Sequence, residues 1–307
     1  MGIRCLNKFL KKQCNPSINT VGLDSLYGKK IVVDANIYMF DFAINNELIE
    51  SFYKMISLFR YYNITPIYVF DGKTNINKLE TLEKRRKDKE IAENKYNEML
   101  LIKDPSDQDM IALQKKFTRI TKTQYDEVKQ LMTYMGVNYI DSEYEGDELC
   151  AYLVLSNQVH GCLSEDTDMF VYGCNYIFKG LDLMNHTVVK YDLNNILYNL
   201  NINDDNFKQL CVISGTDYNK NNKGFYYYYN IYKKFISTPN NCVTFYEWLF
   251  YNNYKYNFND LLRVYSMYTR KKVFENTNTN IKNLKNNKIK RNELKILLKK
   301  YNFIFID

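Results

Sequence analysis

Acidic residues recur at the points of this chain where chemistry could be done. Asp34 ends the run Lys30-Ile31-Val32-Val33-Asp34, and Asp71 follows Pro66-Ile67-Tyr68-Val69-Phe70. Glu145 and Asp147 open an apolar helical stretch, and Asp166 and Asp168 follow Gly161-Cys162-Leu163-Ser164. Asp217 sits in a Gly215-Thr216-Asp217-Tyr218 turn. One acid after a strand or ahead of a helix is ordinarily a turn residue or a cap. The argument rests on the set. Open α/β sheets place ligands beyond the carboxyl ends of their strands. Acids gathered at that edge repel one another unless cations lie among them. Mg²⁺ takes oxygen ligands and keeps its waters, so it suits such a cluster, with Mn²⁺ as the substitute. Two such ions about 3.5–4 Å apart can activate a water and stabilise the leaving oxygen of a phosphodiester.

The elements that must position these acids follow from hydrophobic pattern. Residues 30–34 and 66–70 are continuous, β-branched and aromatic runs, which predicts buried strands. Val137-Asn138-Tyr139-Ile140 and Gly161–Ser164 are two further strand candidates. Residues 47–62 carry Leu48, Phe52, Met55, Ile56 and Phe59 at helical spacing. Residues 145–156 read as a helix with acids in the first turn, and Phe207–Ser214 as another ending at Gly215. The long charged stretch 76–135 has helical spacing, and part of it reads as a solvated arch or lid. Alternation of strand and helix predicts an α/β fold with a mostly parallel central sheet flanked by helices.

Composition narrows the chemistry. The chain has 307 residues, 25% of them charged, and a net charge of +7, room for about two domains. No uninterrupted apolar run approaches the ~18 residues of a membrane span. Met1-Gly2-Ile3-Arg4 lacks the layout of a signal peptide, and Leu6 stands where a myristoylation signal needs Ser or Thr. The seven cysteines form no CxxC pair, which suits a reducing compartment and gives no zinc framework. With His160 and His186 the only histidines, a zinc hydrolase or His-based triad is excluded as a reading. Asn, Tyr, Lys, Ile and Phe are abundant, which fits AT-rich codons. Between residues 270 and 300 eleven cations face only Glu275 and Glu293, a pattern open to a solvated face or to nucleic-acid contact.

The motifs together resemble the flap endonuclease branch of the XPG/Rad2 structure-specific nucleases. Met1-Gly2-Ile3 with Leu6 is similar to the family's MGIxxL, and Val32-Val33-Asp34-Ala35-Asn36 to its VDAS strand. Tyr68-Val69-Phe70-Asp71-Gly72-Lys73 resembles YVFDGK. Tyr144-Glu145-Gly146-Asp147-Glu148-Leu149-Cys150-Ala151 resembles EAEAxCA, with Asp147 in place of a glutamate. Ser164-Glu165-Asp166-Thr167-Asp168 and Gly215-Thr216-Asp217-Tyr218 are similar to (S/T)EDxD and G(S/T)DY. The likeness covers roughly residues 1–235.

The resemblance implies a PIN-like nuclease core with a helical arch and a helical, basic C-terminal region that binds DNA. It divides the chain into 1–90, an arch at 91–124, an internal nuclease region at 125–235, and 236–307. It implies metal ligation by Asp34, Asp71, Glu145, Asp147, Asp166, Asp168 and Asp217. Lys78 and Arg85 fall where the family has a catalytic Lys and Arg; two cations at i and i+7 can clamp a phosphate, and a solvated helix face is the alternative. Phe40 stands where the family often stacks a base, and is equally readable as a core aromatic. Gly224-Phe225-Tyr226 retains one glycine of the family's helix–hairpin–helix GxG, which counts against a K⁺ site there; Lys223, Lys233 and Lys234 remain as phosphate contacts. Phe303-Ile304-Phe305-Ile306-Asp307 is no convincing QxxΦxxΦΦ motif, so sliding-clamp recruitment is not expected. The implied function is a Mg²⁺-dependent 5′-nuclease on branched or 5′-flap DNA in replication, repair or recombination, in the nucleus or at a viral replication site. The alternatives are an RNA-degrading nuclease of the same fold and an inactive DNA-binding scaffold. Codon bias and chain length suggest a large DNA virus or an AT-rich parasite as source.

Overall fold

The computed structural model describes residues 2–73, 79–102, 104, 107–219, 221, 223–239, 242, 244–269 and 281–304. Lys78, Arg270, Lys271, Lys272 and the terminal Phe305–Asp307, all singled out above, lie outside the described residues, as does the side chain of Lys282.

Seven strands form one sheet: β1 (Ile18–Gly22), β2 (Lys30–Asp34), β3 (Thr65–Phe70), β4 (Asn138–Asp141), β5 (Gly161–Leu163), β6 (Tyr176–Asp182) and β7 (Thr187–Asp192), in the order β1-β7-β6-β5-β2-β3-β4. The β2, β3, β4, β5 and β6 pairings are parallel. The β6–β7 and β7–β1 pairings are antiparallel. The helices are α1 (Leu6–Gln13), α2 (Ala35–Ile44), α3 (Leu48–Tyr61), α4 (Leu79–Met99), α5 (Gln108–Phe117), α6 (Lys122–Tyr134) and α7 (Gly146–Leu155), then α8 (Asp168–Tyr172), α9 (Leu193–Leu200), α10 (Asp204–Ile213), α11 (Phe225–Ser237), α12 (Phe245–Tyr251), α13 (Phe258–Thr269) and α14 (Arg291–Lys299).

The sheet separates two cores. Val32, Ile67, Val69, Cys162 and Ile177 point to one side, where residues of α1, α7, α8, α10 and α11 cover them. Ile31, Val33, Tyr68, Phe70, Leu163 and Phe178 point to the other, against α2, α3 and α6. Side chains alternate faces along a strand, so a strand covered on both faces must be apolar at every position. That is why β2 and β3 are legible as unbroken runs. In register, Val33 lies opposite Tyr68 on β3 and Leu163 on β5, so the residues after these strands emerge together at one edge.

The four strands expected from the sequence are present. β1, β6 and β7 were not anticipated. β7 buries only Val188 and Tyr191, and β1 buries only Ile18. A half-covered antiparallel edge strand carries a weaker signal than a central one.

The described part of the charged stretch is mostly helical, as its spacing indicates. α4 is polar around its circumference and lies beside α5, with Ala92, Met110 and Leu113 buried and the Tyr96 and Phe117 rings 5.3 Å apart. Arg119 Nη2 donates to Glu93 at 2.8 Å. So little apolar burial gives this pair a small share of the hydrophobic stabilisation. The aromatic run 225–229 has a structural use: Phe225 and Tyr228 are buried in the first core, and Phe9 of α1 meets Phe225, Tyr226 and Tyr229 at 4.8, 5.0 and 4.7 Å. α14 buries Leu294, Leu297 and Leu298 in the second core beside α6 while Arg291, Lys295, Lys299 and Lys300 stay exposed.

Candidate active site

The parallel strands carry their acids to one edge. Asp34 is the last residue of β2 and the N-cap of α2. Asp71 follows β3. Glu145 caps α7 and Asp147 lies in its first turn. Asp166 follows β5, and Asp217 lies beyond α10. These six carboxylates line one cavity of about 590 Å³. Asp168 is the exception. It is buried behind the cavity, where Oδ2 accepts a 2.6 Å hydrogen bond from the Tyr268 hydroxyl of α13.

Asp34, Asp71, Asp166 and Asp217 are aimed by neighbours. Ser164 Oγ donates to Asp34 Oδ2 at 2.9 Å. The Gly146 amide donates to Asp71 Oδ1 at 2.7 Å, and Asn36 Nδ2 donates to Asp71 Oδ2. The Asp168 amide donates to Asp166 Oδ1 at 2.9 Å. Arg85 Nη2 meets Asp217 Oδ2 at 2.8 Å. The chain start is built into the same floor. Ile3 N–H donates to Thr167 Oγ1 at 2.6 Å, and a Cβ on Gly2 would collide with Thr167 Oγ1 and Asp166 Oδ1. A glycine is therefore required at position 2 by close approach, which accounts for the Met1-Gly2-Ile3 motif.

The electrostatics show what this donor set lacks. Burial, then the charge of Asp71, and to a lesser degree that of Asp166, push the Asp34 carboxyl up from 3.8 to about 7, against the opposing Ser164 hydrogen bond. An all-oxygen, anionic floor in which one acid is held towards its neutral form fits hard divalent cations, whose charge would restore the carboxylate. Among the described residues no three of these side chains already close into a finished metal cage. Arg85 and Asn36 hold two of the acids meanwhile. Lys179, buried in β6, supplies a counter-charge beneath: its Nζ donates to the Ser164 carbonyl at 3.3 Å and stands 4.0 Å from Glu165. Burial lowers its pKa against the pull of Glu165 and Asp166.

Above the acids the rim is cationic. Lys73, Arg85, Arg86, Lys89 and Arg119 line the same cavity. Lys89 Nζ lies 5.0 Å from the Phe40 ring centroid and donates to the Thr118 carbonyl at 3.1 Å. Its pKa is lowered by burial and by the nearby Arg119 and Arg85. Phe40 is 36% exposed at the mouth. Gly224 caps α11, Lys223 Nζ lies over Tyr227 and Lys233 Nζ over Tyr229, and Lys234 is in the last turn of α11. None of these four lines the cavity.

Tyr268, Ser164, Asn36 and Lys179 are site neighbours that residue spacing did not single out. Lys179 had a signal, a lysine inside the apolar run Tyr176-Ile177-Phe178. Tyr268 had none, because it arrives from a hundred residues downstream of Asp168. Tyr268→Phe is expected to cost about 1.5–3 kcal/mol in chemical denaturation, the value of a hydrogen bond to a charged group. It is also expected to slow any metal-dependent turnover about 10–100-fold. Wild-type values in both assays would reduce Tyr268 to packing.

Comparison with known proteins gives the class. A model of the XPG N-terminal domain matches residues 1–92 and one of the XPG I-region matches residues 136–217. Flap endonuclease 1 of Theileria annulata is 31% identical over 236 residues, 71% of this chain and 46% of that protein. Flap endonuclease 1 of Encephalitozoon cuniculi is 29% identical over 242 residues, 73% and 69%. The chain thus spans about half the length of the Theileria relative. The catalytic core of Rad2 in complex with a DNA substrate superposes with TM-score 0.70 at 22% identity, over 97% of this chain and 94% of that one. Flap endonuclease-1 of Methanococcus jannaschii gives 0.59 at 21% identity, over 92% and 97%. The fold is therefore the α/β nuclease core of these enzymes. This chain belongs to the XPG/Rad2 nuclease family and is flap-endonuclease-like within it. Among the described residues no helix is long and apolar enough to cross a membrane.

Proposed function

We propose that this protein is a Mg²⁺-dependent structure-specific 5′-nuclease that cuts branched DNA in replication, repair or recombination. The observation that carries the reading is one cavity lined by six carboxylates and by five arginine and lysine residues. Asp34, Asp71, Glu145, Asp147, Asp166 and Asp217 would hold the ions, with Asp168 bracing Asp166 through its amide. Divalent ions bound there, or Mn²⁺ in place of Mg²⁺, supply an activated water and offset charge on the leaving oxygen.

The remaining roles belong to the chain itself. The rim draws the phosphate backbone in, and the floor repels it unless it is neutralised. Arg85, released from Asp217, turns to the scissile phosphate, with Lys78, seven positions earlier in the sequence, as its partner. Phe40 offers its exposed face to a base; such stacking is worth about 1–3 kcal/mol. α4 and α5 bound the opening through which a single-stranded 5′ end is admitted. Lys223, Gly224, Lys233 and Lys234 contact duplex phosphates, and the nucleus is the compartment such a substrate implies.

The test is a 5′-labelled flap duplex incubated with the full chain and Mg²⁺, beside a matched RNA and a blunt duplex. Cleavage near the junction of the flap, lost on chelation, is expected. Preferential cutting of the RNA would overturn the substrate, and no metal-dependent cutting of any of the three would overturn the activity.

A further inference from the structure

The N-terminal helix α1 presents cations that the site above does not use. Arg4, Lys8, Lys11 and Lys12 are exposed, while Leu6, Phe9 and Leu10 are buried on the opposite side. No acid occurs before Asp24, and none occurs between Asp217 and Glu247. Among the described residues none of Arg4, Lys8, Lys11, Lys12, Lys223, Lys233 and Lys234 is ion-paired, although shorter surface pairs form elsewhere, as at Lys54–Glu50 and Lys208–Asp204. Lys11 and Lys12 could be explained by the negative end of the α1 dipole. Arg4 and Lys8 could not.

α1 is fixed to α11, which together with the turn leading into it carries the other three cations. The Phe225 amide donates to the Arg4 carbonyl at 3.1 Å, and the Tyr226 hydroxyl donates to the Lys8 carbonyl at 3.4 Å. Phe9 wedges among Phe225, Tyr226 and Tyr229, and Lys233 lies over the Tyr229 ring of that same seam, 5.3 Å away. At the start of α11, Gly224 has φ +74, and the Arg4 stem lies where a side chain there would go, its Cγ 3.4 Å from the position of a Cβ. The positive φ is what calls for a glycine, and the Arg4 stem lies in ordinary contact distance of that turn. The seven cations, on two cross-braced helices and the turns leading into them, form a surface whose own segments carry no acid. A surface of that kind suits a regular array of phosphates rather than a single anion.

We infer that α1 and α11 together form a duplex-DNA backbone track, in which Arg4, Lys8, Lys11 and Lys12 contact phosphates alongside Lys223, Lys233 and Lys234. The inference rests on the nuclease reading for its partner and extends it to a helix outside the cavity.

The experiment measures duplex-DNA binding by the full chain in excess chelator, as log K against log salt. Lys8→Gln/Lys11→Gln/Lys12→Gln is expected to flatten the slope by about 3 and Arg4→Met by about 1, since each phosphate contact contributes about 0.9. Arg4→Lys is expected to restore the slope. Lys29→Gln, at the start of β2 and so at the other edge of the sheet, is expected to leave it unchanged. All these side chains are exposed, and unchanged melting verifies the fold. An unchanged slope in the triple variant, with steep salt dependence in the unmodified chain, overturns the track and leaves the nuclease reading standing. A flat slope in the unmodified chain overturns both. Flattening in the variants with no flap cleavage by the intact chain upholds the track and removes the nuclease.

Discussion

Asp166→Asn is expected to lower Mg²⁺-dependent flap cleavage by about 10³-fold, with little change in stability. Asp166 is buried in the cavity floor after β5, held by the Asp168 amide at 2.9 Å and hemmed in by the chain start at Gly2. An asparagine of the same shape keeps an oxygen for that amide, so the backbone after β5 has no reason to move. What it removes is one full negative charge from a site whose proposed work is to hold cations. Loss of one preorganised charge from an active site costs about 10²–10³ in rate, and a ligand to a catalytic ion belongs at the upper end. The check is initial rate on the flap substrate at saturating Mg²⁺, with denaturation measured alongside. A variant that cuts as fast as the wild type would show that the assignment of this cavity is wrong.

Asp34→Asn is expected to stabilise the metal-free protein at pH 8 while abolishing its activity. The Asp34 carboxyl is held up at about 7, by burial first and by Asp71 next. In the unfolded chain it titrates near 3.8. Between these values the folded state binds the extra proton, so stability falls as pH rises from about 4 to about 7, and the full penalty is present above that. At about 1.4 kcal/mol per pH unit, the penalty is on the order of 4 kcal/mol. Asparagine carries no such charge and still accepts the Ser164 hydroxyl. Chemical denaturation in chelator at pH 8 and pH 5.5 provides the check. His160, whose pKa burial lowers, contributes the opposite sign in the same range, so the quantity to read is the difference between wild type and variant. That difference is expected to shrink on acidification, and also on adding Mg²⁺ to the wild type at pH 8. A difference independent of both pH and Mg²⁺ would remove electrostatic crowding as its cause.

These two acids also show how much of the site was legible. Asp34 and Asp166 each follow a short apolar run, and strands buried on both faces announce themselves in composition. Parallel strands end at a common edge, so the gathering of Asp34, Asp71, Glu145, Asp147 and Asp166 could be read from order alone. Asp217 could be read only through its Gly-Thr-Asp-Tyr turn. Asp168 belonged to the same motif, yet it faces Tyr268 behind the cavity.

The sequence by itself determined the alternation of strands and helices and the edge at which carboxylates accumulate. These depend on local period and residue type, which the chain carries position by position. The tertiary structure alone decided that Tyr268 and Lys179 brace the acids and that Arg85 reaches Asp217. It alone placed α1 on α11, so that Arg4 lies over Gly224. Those contacts join residues 15 to more than 200 positions apart. Their existence depends on how whole faces pack, and no spacing along the chain encodes which faces meet.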